Sequence, residues 1–131
     1  MIGVDTNVLV RIFANDDSRQ TESASRLIDQ SADTGIYVNV VVLAEFARTM
    51  RRAYKWDDEW IRQALNRIVR HPALTIQHRE SVLEAISKSN TSLHAFADRL
   101  IAALNRDAGC RTTLTFDKEA ARDSGFEELE I

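Results

Sequence analysis

Residues 1–9 read Met1-Ile2-Gly3-Val4-Asp5-Thr6-Asn7-Val8-Leu9, a short apolar segment followed by a polar turn and a second apolar pair. The first four residues predict a β-strand. The apolar residues that follow recur at helical spacing as far as about residue 15, at Val8, Leu9, Ile12 and Phe13. A strand that leads directly into a helix is the first half of a parallel βα unit, so this stretch predicts an α/β fold.

The same order recurs along the rest of the chain. Further strands are predicted at residues 36–38, 74–76, 112–115 and 129–131. Helices are predicted at 18–33, after an N-cap at Asn39, from a cap at Asp57 to Pro72, and at 79–89, 95–109 and 118–125. About five strands with helices between them predict a three-layer α/β/α sandwich on one central parallel sheet.

The composition is that of a globular protein, with 44% apolar and 28% charged residues among 131. At this length we expect a single domain spanning residues 1–131. One cysteine cannot form an internal disulfide, and no apolar run reaches the roughly 18 residues of a membrane span. The first residues also lack the pattern of a signal peptide, so we expect a cytoplasmic protein without membrane contacts.

The charge balance argues at first against nucleic acid as a partner. The chain has 17 Lys and Arg residues against 20 Asp and Glu residues, a formal net charge of −3. Proteins that coat nucleic acid are normally basic. The distribution of the acidic residues therefore matters more than their number.

Four carboxylates follow predicted strands or lie early in predicted helices: Asp5, Glu45, Asp98 and Asp117. In parallel βα units the helix N-termini lie beside the strand C-termini, so we expect these groups to converge on one rim. Grouped carboxylates repel one another unless a cation neutralises them, and ligand sets made only of oxygen favour Mg²⁺ or Mn²⁺. Such an ion can activate water for phosphodiester cleavage.

Each carboxylate also has an ordinary structural explanation. Asp5 and Asp117 could cap the helices that follow them, and Asp98 could complement a helix dipole or pair with His94. Glu45 is harder to explain in this way, because its neighbours are apolar and burying a carboxylate is costly. Taken together, the four positions favour a shared site.

The same segments resemble the PIN-domain ribonucleases, and most closely the VapC-type toxins of bacterial type II toxin–antitoxin pairs. The matching segments are Val4-Asp5-Thr6-Asn7-Val8-Leu9, Leu43-Ala44-Glu45-Phe46, Phe96-Ala97-Asp98-Arg99-Leu100-Ile101-Ala102-Ala103 and Thr115-Phe116-Asp117-Lys118. The resemblance covers essentially the whole chain, and the segments occur in the family's order. It implies a PIN-like fold and a metal-dependent endoribonuclease.

By this resemblance, the four acids would be the catalytic residues, holding one or two Mg²⁺ or Mn²⁺ ions and orienting the attacking water. The polar residues Thr6, Asn7 and Thr115 match positions that support the acidic cluster. The resemblance also implies an RNA substrate, a small antitoxin protein that silences the enzyme, and a homodimer. DNA would be contacted only through the antitoxin.

Two residues depart from the family's pattern. Many relatives have another Asp where this chain has Ala95, so fewer metal ligands are expected, and Ala120 replaces a common aromatic residue. The missing acid keeps an alternative open, namely a PIN-like module that binds RNA or protein without cutting.

Cations for an RNA substrate are available near the predicted site. Arg48 and Arg52 fall on the same helical face as Glu45, and Arg11 and Arg99 are placed beside the groove. The competing interpretation is a solvated polar helix face.

Other chemistries fit the sequence poorly. The histidines at 71, 78 and 94 lack zinc-ligand spacing, and Cys110 is expected in the core rather than as a nucleophile. No Gly-rich phosphate loop or Gly-x-Ser-x-Gly elbow is present. An aspartyl phosphatase would need a second Asp where Asn7 stands.

Overall fold

The computed structural model describes residues 1–14, 17–89, 96–122 and 125–131. These residues form two compact units, residues 1–79 and residues 80–131. The first unit contains β1 (Ile2–Gly3), α1 (Thr6–Ala14), α2 (Ser18–Gln30), β2 (Ile36–Val38), α3 (Val40–Arg52), α4 (Asp58–Arg70) and β3 (Leu74–Ile76). The second contains α5 (Arg79–Lys88, whose first residue ends the first unit), α6 (Phe96–Asp107), β4 (Thr113–Thr115), a 3₁₀ helix (Ala120–Arg122) and β5 (Phe126–Glu128).

The first unit is built on a parallel sheet with β2 at its centre. Ile36 pairs with Ile2 on one side and with Leu74 on the other. Ile36 and Val38 are buried, whereas Tyr37 between them is half-buried, as expected for alternating strand faces. This pairing aligns the ends of β1 and β2, where the first predicted site residues follow.

Helix caps were the most predictable feature of this unit. The side chain of Asn39 accepts the Val42 N–H at 3.0 Å, and that of Asp57 accepts the Trp60 N–H at 2.9 Å, so both predicted caps are confirmed. A third cap comes from Asp17, which accepts the Gln20 N–H at 3.1 Å. Each cap satisfies a backbone donor that the helix itself leaves unpaired.

The core of the first unit lies beneath α3 and α4. From α3 it takes Val42, Leu43, Phe46, Ala47 and Met50, and from α4 Ile61, Ala64, Leu65, Ile68 and Val69. The Phe46 ring is fully buried and meets the Phe13 ring edge-on, with centroids 5.6 Å apart. These contacts fix α1 and α3 against each other, and both helices carry predicted site residues.

The second unit contains the parallel pair β4–β5, in which Thr113 pairs with Phe126 and Thr115 with Glu128. The strand predicted at 129–131 lies three positions earlier, at 126–128, because pairing with β4 begins directly after Gly125. Beyond β5, the Leu129 N–H donates a further hydrogen bond to the Thr115 carbonyl. The helix predicted at 118–125 is, in its described part, a single 3₁₀ turn.

The α/β class and the parallel strands are confirmed, but the strands that the structure describes do not form one sheet. Among the described residues, β1, β2 and β3 form one hydrogen-bonded sheet, and β4 and β5 form another. The sequence pattern indicates where strands lie, but which strands share a sheet depends on backbone pairing between segments far apart in sequence. In addition, β1 is only two residues long. No helix in the described ranges is long and apolar enough to cross a membrane.

Candidate functional site

The first two acidic motifs meet within the first unit. Asp5 lies between β1 and α1, and Glu45 lies in the middle of α3. The Thr6 hydroxyl donates a hydrogen bond to Glu45 Oε2 at 2.8 Å, across 39 positions of sequence. The residue after Asp5 therefore holds the carboxylate of the second motif.

The fold explains this meeting. The Val4 N–H donates to the Tyr37 carbonyl at 3.2 Å, so the chain leaving β1 still follows β2. Asn39 then caps α3 immediately after β2. The start of α1 and the first turns of α3 consequently lie side by side, and a side chain on α3 that leans toward its N-terminus reaches Thr6.

The sequence analysis expected Glu45 among buried apolar residues, but its side chain is exposed. Its sequence neighbours Leu43, Phe46 and Ala47 are buried, but Glu45 itself is exposed. The helix period places the carboxylate on the opposite face from the apolar stripe, so no burial cost arises and that part of the sequence argument was wrong. An exposed carboxylate held by a hydroxyl is available to a ligand from solvent.

The third and fourth motifs lie in the second unit. Asp98 is in the first turn of α6 and is half-buried, and Asp117 is exposed just beyond β4. Asp117 Oδ1 accepts the N–H groups of Glu119 at 2.9 Å and Ala120 at 3.3 Å. The capping role considered for Asp117 is thus present, and its contacts with the described residues use one of the two carboxylate oxygens.

Thr115 supports Asp117 in turn. Its hydroxyl oxygen accepts the Asp117 N–H at 3.0 Å, which fixes the backbone as it leaves β4. The resemblance predicted a polar residue here that supports the acidic cluster, and that role stays a prediction. Thr6 and Thr115 thus contact the acidic motifs in different ways, Thr6 through a carboxylate and Thr115 through a backbone amide.

The described structure places Asp5 and Glu45 in one unit and Asp98 and Asp117 in the other. In the described part of the chain, no group of three or more His, Cys, Asp or Glu side chains is close enough to hold a metal ion. The four-carboxylate site therefore stays a prediction. Ala95 and His94 lie outside the described residues.

The available donors suit a hard cation. In the first unit the donor atoms around Thr6 are carboxylate and hydroxyl oxygens. His71 is occupied structurally, because its Nδ1 accepts the Ala73 N–H at 3.0 Å. Oxygen donors of this kind fit Mg²⁺ or Mn²⁺ rather than zinc.

The predicted RNA-contacting arginines have different surroundings. Arg48 and Arg52 are both exposed on α3, one helical turn apart. Arg11 is half-buried and donates to Gln20 and, at 3.0 Å, to the Tyr54 hydroxyl. Arg99 is half-buried on α6, directly after Asp98.

Sequence reasoning missed the residues that position Arg11. Gln20 and Tyr54 come from α2 and from the segment after α3, and no motif marks either of them. Arg11 and Asn7 also line a groove of about 560 Å³ between α1 and α2. The groove is adjacent in sequence to Asp5 and Thr6, and it adds a concave surface beside the first two motifs.

Cys110 was expected in the core, but it is exposed. It follows the Gly109 turn, whose positive φ of 97° ends α6 and directs the chain away from the helix. The apolar character of cysteine was outweighed by its position in this turn.

Comparison with known proteins identifies one family. The sequence profile of the PIN domain matches residues 2–124, which is nearly the whole chain. No curated protein matches the sequence. The matched range includes all four acidic motifs.

Proposed function

The chain belongs to the PIN domain family, and from this premise we propose that it is a metal-dependent endoribonuclease acting as the toxin of a toxin–antitoxin pair. PIN domains are commonly nucleases and generally use divalent metals. The observation that carries the proposal is the hydrogen bond from Thr6 to Glu45. It joins two acidic motifs at the end of a parallel strand, where α/β folds bind ligands.

In this proposal Asp5, Glu45, Asp98 and Asp117 hold one or two Mg²⁺ or Mn²⁺ ions. The bound metal would activate water and neutralise charge that develops on the scissile phosphate. Thr6 fixes the orientation of the Glu45 carboxylate, since its hydroxyl occupies Oε2. Preorganised ligands of this kind lose less freedom when a cation binds.

The remaining residues position the substrate. Arg48 and Arg52 are exposed on the same helix as Glu45, and they would contact RNA phosphates on either side of the scissile bond. The formal net charge of −3 does not oppose this role. Four of the acids would face a divalent cation rather than the RNA, and the metal adds positive charge where phosphate approaches.

We also propose the partners that accompany this activity: a small cognate antitoxin protein that silences the enzyme, and a second copy of the chain in a homodimer. DNA would be reached only through the antitoxin. The proposed location is the cytoplasm, where the RNA substrate is found.

The decisive experiment incubates purified, antitoxin-free protein with a panel of structured RNAs, in Mg²⁺, in Mn²⁺ and with a chelator. We expect cleavage that the chelator abolishes and that Asp5→Asn removes. Asp33→Asn is the matched control, because Asp33 is an exposed aspartate of the same unit outside all four motifs. RNA binding without metal-dependent cleavage across the panel would instead identify a non-catalytic PIN-like module.

A further inference from the structure

A small basic cavity lies in the second unit and contains none of the four predicted metal ligands. Its volume is about 150 Å³, and α5, α6 and the approach to β4 form its walls. The charged residues that line it are Glu84, Lys88, Arg99, Arg106 and Arg111. The lining therefore contains four cationic side chains and one carboxylate.

The single carboxylate is shared by two of these cations. Glu84 Oε1 pairs with Lys88 Nζ at 2.8 Å, and its Oε2 pairs with Arg106. These two partners lower the pKa of Glu84 to about 2, with Arg106 making the larger contribution, so Glu84 is ionised at neutral pH. Even so, one negative charge cannot balance two cations, and a positive surplus remains.

Two further cations line the cavity. Arg111 pairs with Glu127 at 3.2 Å, but Glu127 is not part of the lining and both side chains are largely exposed. Arg99 brings a further guanidinium from the first turns of α6. Like charges held this close favour an anion between them.

The size of the cavity restricts the ligand. A water molecule occupies about 30 Å³ in the liquid, and a cavity of about 150 Å³ accepts a molecule the size of benzene. A single tetrahedral oxyanion fits this volume. At one wall the backbone at Gly125 packs closely against Ala102, and a Cβ at position 125 would lie 3.2 Å from the Ala102 Cβ.

We propose that this cavity binds one phosphate-type oxyanion through Lys88, Arg106 and Arg111. Guanidinium groups bind such anions with paired N–H donors, and an ammonium group adds a compact charge. The anion is either free inorganic phosphate or a phosphate group carried by RNA. This proposal does not depend on the nuclease activity, because the cavity and the four acids share no residue.

The test is a titration of the full chain with inorganic phosphate against chloride at constant ionic strength, with a chelator present so that cleavage cannot contribute. Amide chemical shifts of residues 84–88 and 102–106 are the readout. We expect saturable shifts in the wild type. The phosphate concentration at half-saturation should rise about tenfold in Arg106→Gln and in Lys88→Gln, since each variant loses a charge-assisted hydrogen bond. Arg26→Gln is the matched control, because Arg26 is an exposed arginine outside this cavity.

A second arm identifies the source of the anion. A short RNA with a 5′-phosphate and the same RNA with a 5′-hydroxyl are each added to the phosphate-saturated protein. If only the 5′-phosphorylated RNA displaces phosphate, the site binds RNA ends. If neither RNA displaces phosphate, the site binds free phosphate. Either result supports an oxyanion site. Shifts that do not saturate, or that are equal in wild type, Arg106→Gln and Lys88→Gln, would overturn the proposal. A failure of nuclease activity would not affect this result.

Discussion

The proposed metal ligands fall into two halves, one half in each unit, and the two halves are held in different ways. In the first unit, Glu45 is fixed by a side-chain hydrogen bond from Thr6, 39 positions away. In the second, Asp117 is fixed by backbone N–H groups two and three residues further along the chain. The first arrangement depends on tertiary packing, whereas the second is a local turn. Mutations should therefore affect the two halves differently.

The largest effect is expected from the core beneath the first half. Phe46→Ala removes a fully buried ring that contacts Phe13, and it should lower the free energy of unfolding by about 3–5 kcal/mol. Urea denaturation measures this change. Phe46→Leu, which refills most of the volume, should lose clearly less. Equal losses in the two variants would show that packing at this position does not hold α1 and α3 together.

The next effect tests the long-range hydrogen bond itself. Thr6→Val removes the hydroxyl but keeps the shape, so RNA cleavage should fall about 10- to 100-fold, as is usual when the partner of a metal ligand is lost. Stability should change by no more than about 0.5 kcal/mol, because the Glu45 carboxylate is exposed. Thr6→Ser retains the donor and should recover most of the rate. Full activity in Thr6→Val would remove the proposed role of this bond.

In the second half, two substitutions separate capping from metal binding. Asp117→Ala removes the acceptor for Glu119 and Ala120 and should cost about 1 kcal/mol of stability. Asp117→Asn keeps an acceptor oxygen and should retain that stability, while losing the negative charge. We expect cleavage to be lost in both variants. An active Asp117→Asn enzyme would restrict this residue to its capping role.

The smallest effect concerns the ion pairs of the basic cavity. The pKa of Glu84 is lowered from 4.5 to about 2 by Arg106 and Lys88, so its contribution to stability is complete above about pH 5 and disappears as the pH falls toward 2. The groups are partly exposed, so Glu84→Gln should cost less than about 1 kcal/mol at pH 6. Denaturation curves between pH 6 and pH 3 should converge for wild type and variant. A constant difference over this range would contradict the assignment.

The comparison of the two units also separates what sequence can predict from what it cannot. The caps at Asn39 and Asp57 were predictable because a cap and its helix lie within a few residues. The position of β5 was missed, since the apolar Leu129 and Ile131 attracted the prediction while pairing with β4 selected residues 126–128. The sequence also predicted one sheet where the described strands form two, because backbone pairing between distant segments decides which strands share a sheet.

The candidate site shows the same division. Motif order predicted Asp5, Glu45, Asp98 and Asp117 as site residues, and this stays a prediction. Thr6 donates to Glu45, and Thr115 accepts the Asp117 N–H. The exposure of Glu45 and Cys110 depends on helix phase and on a turn, which composition does not reveal. The basic cavity is lined by residues from α5, from α6 and from the segment that leads into β4, and no sequence motif indicates it.

The proposed function requires that Asp5 and Asp117 each take part in binding a divalent ion. Calorimetric titration of Mn²⁺ into the full chain, without RNA, tests it most directly, using Asp5→Asn, Asp117→Asn and the control Asp33→Asn. We predict that Asp5→Asn and Asp117→Asn each weaken Mn²⁺ binding about tenfold or more, while Asp33→Asn binds like wild type. Wild-type affinity in either Asp5→Asn or Asp117→Asn would contradict the proposed metal-binding role of that residue.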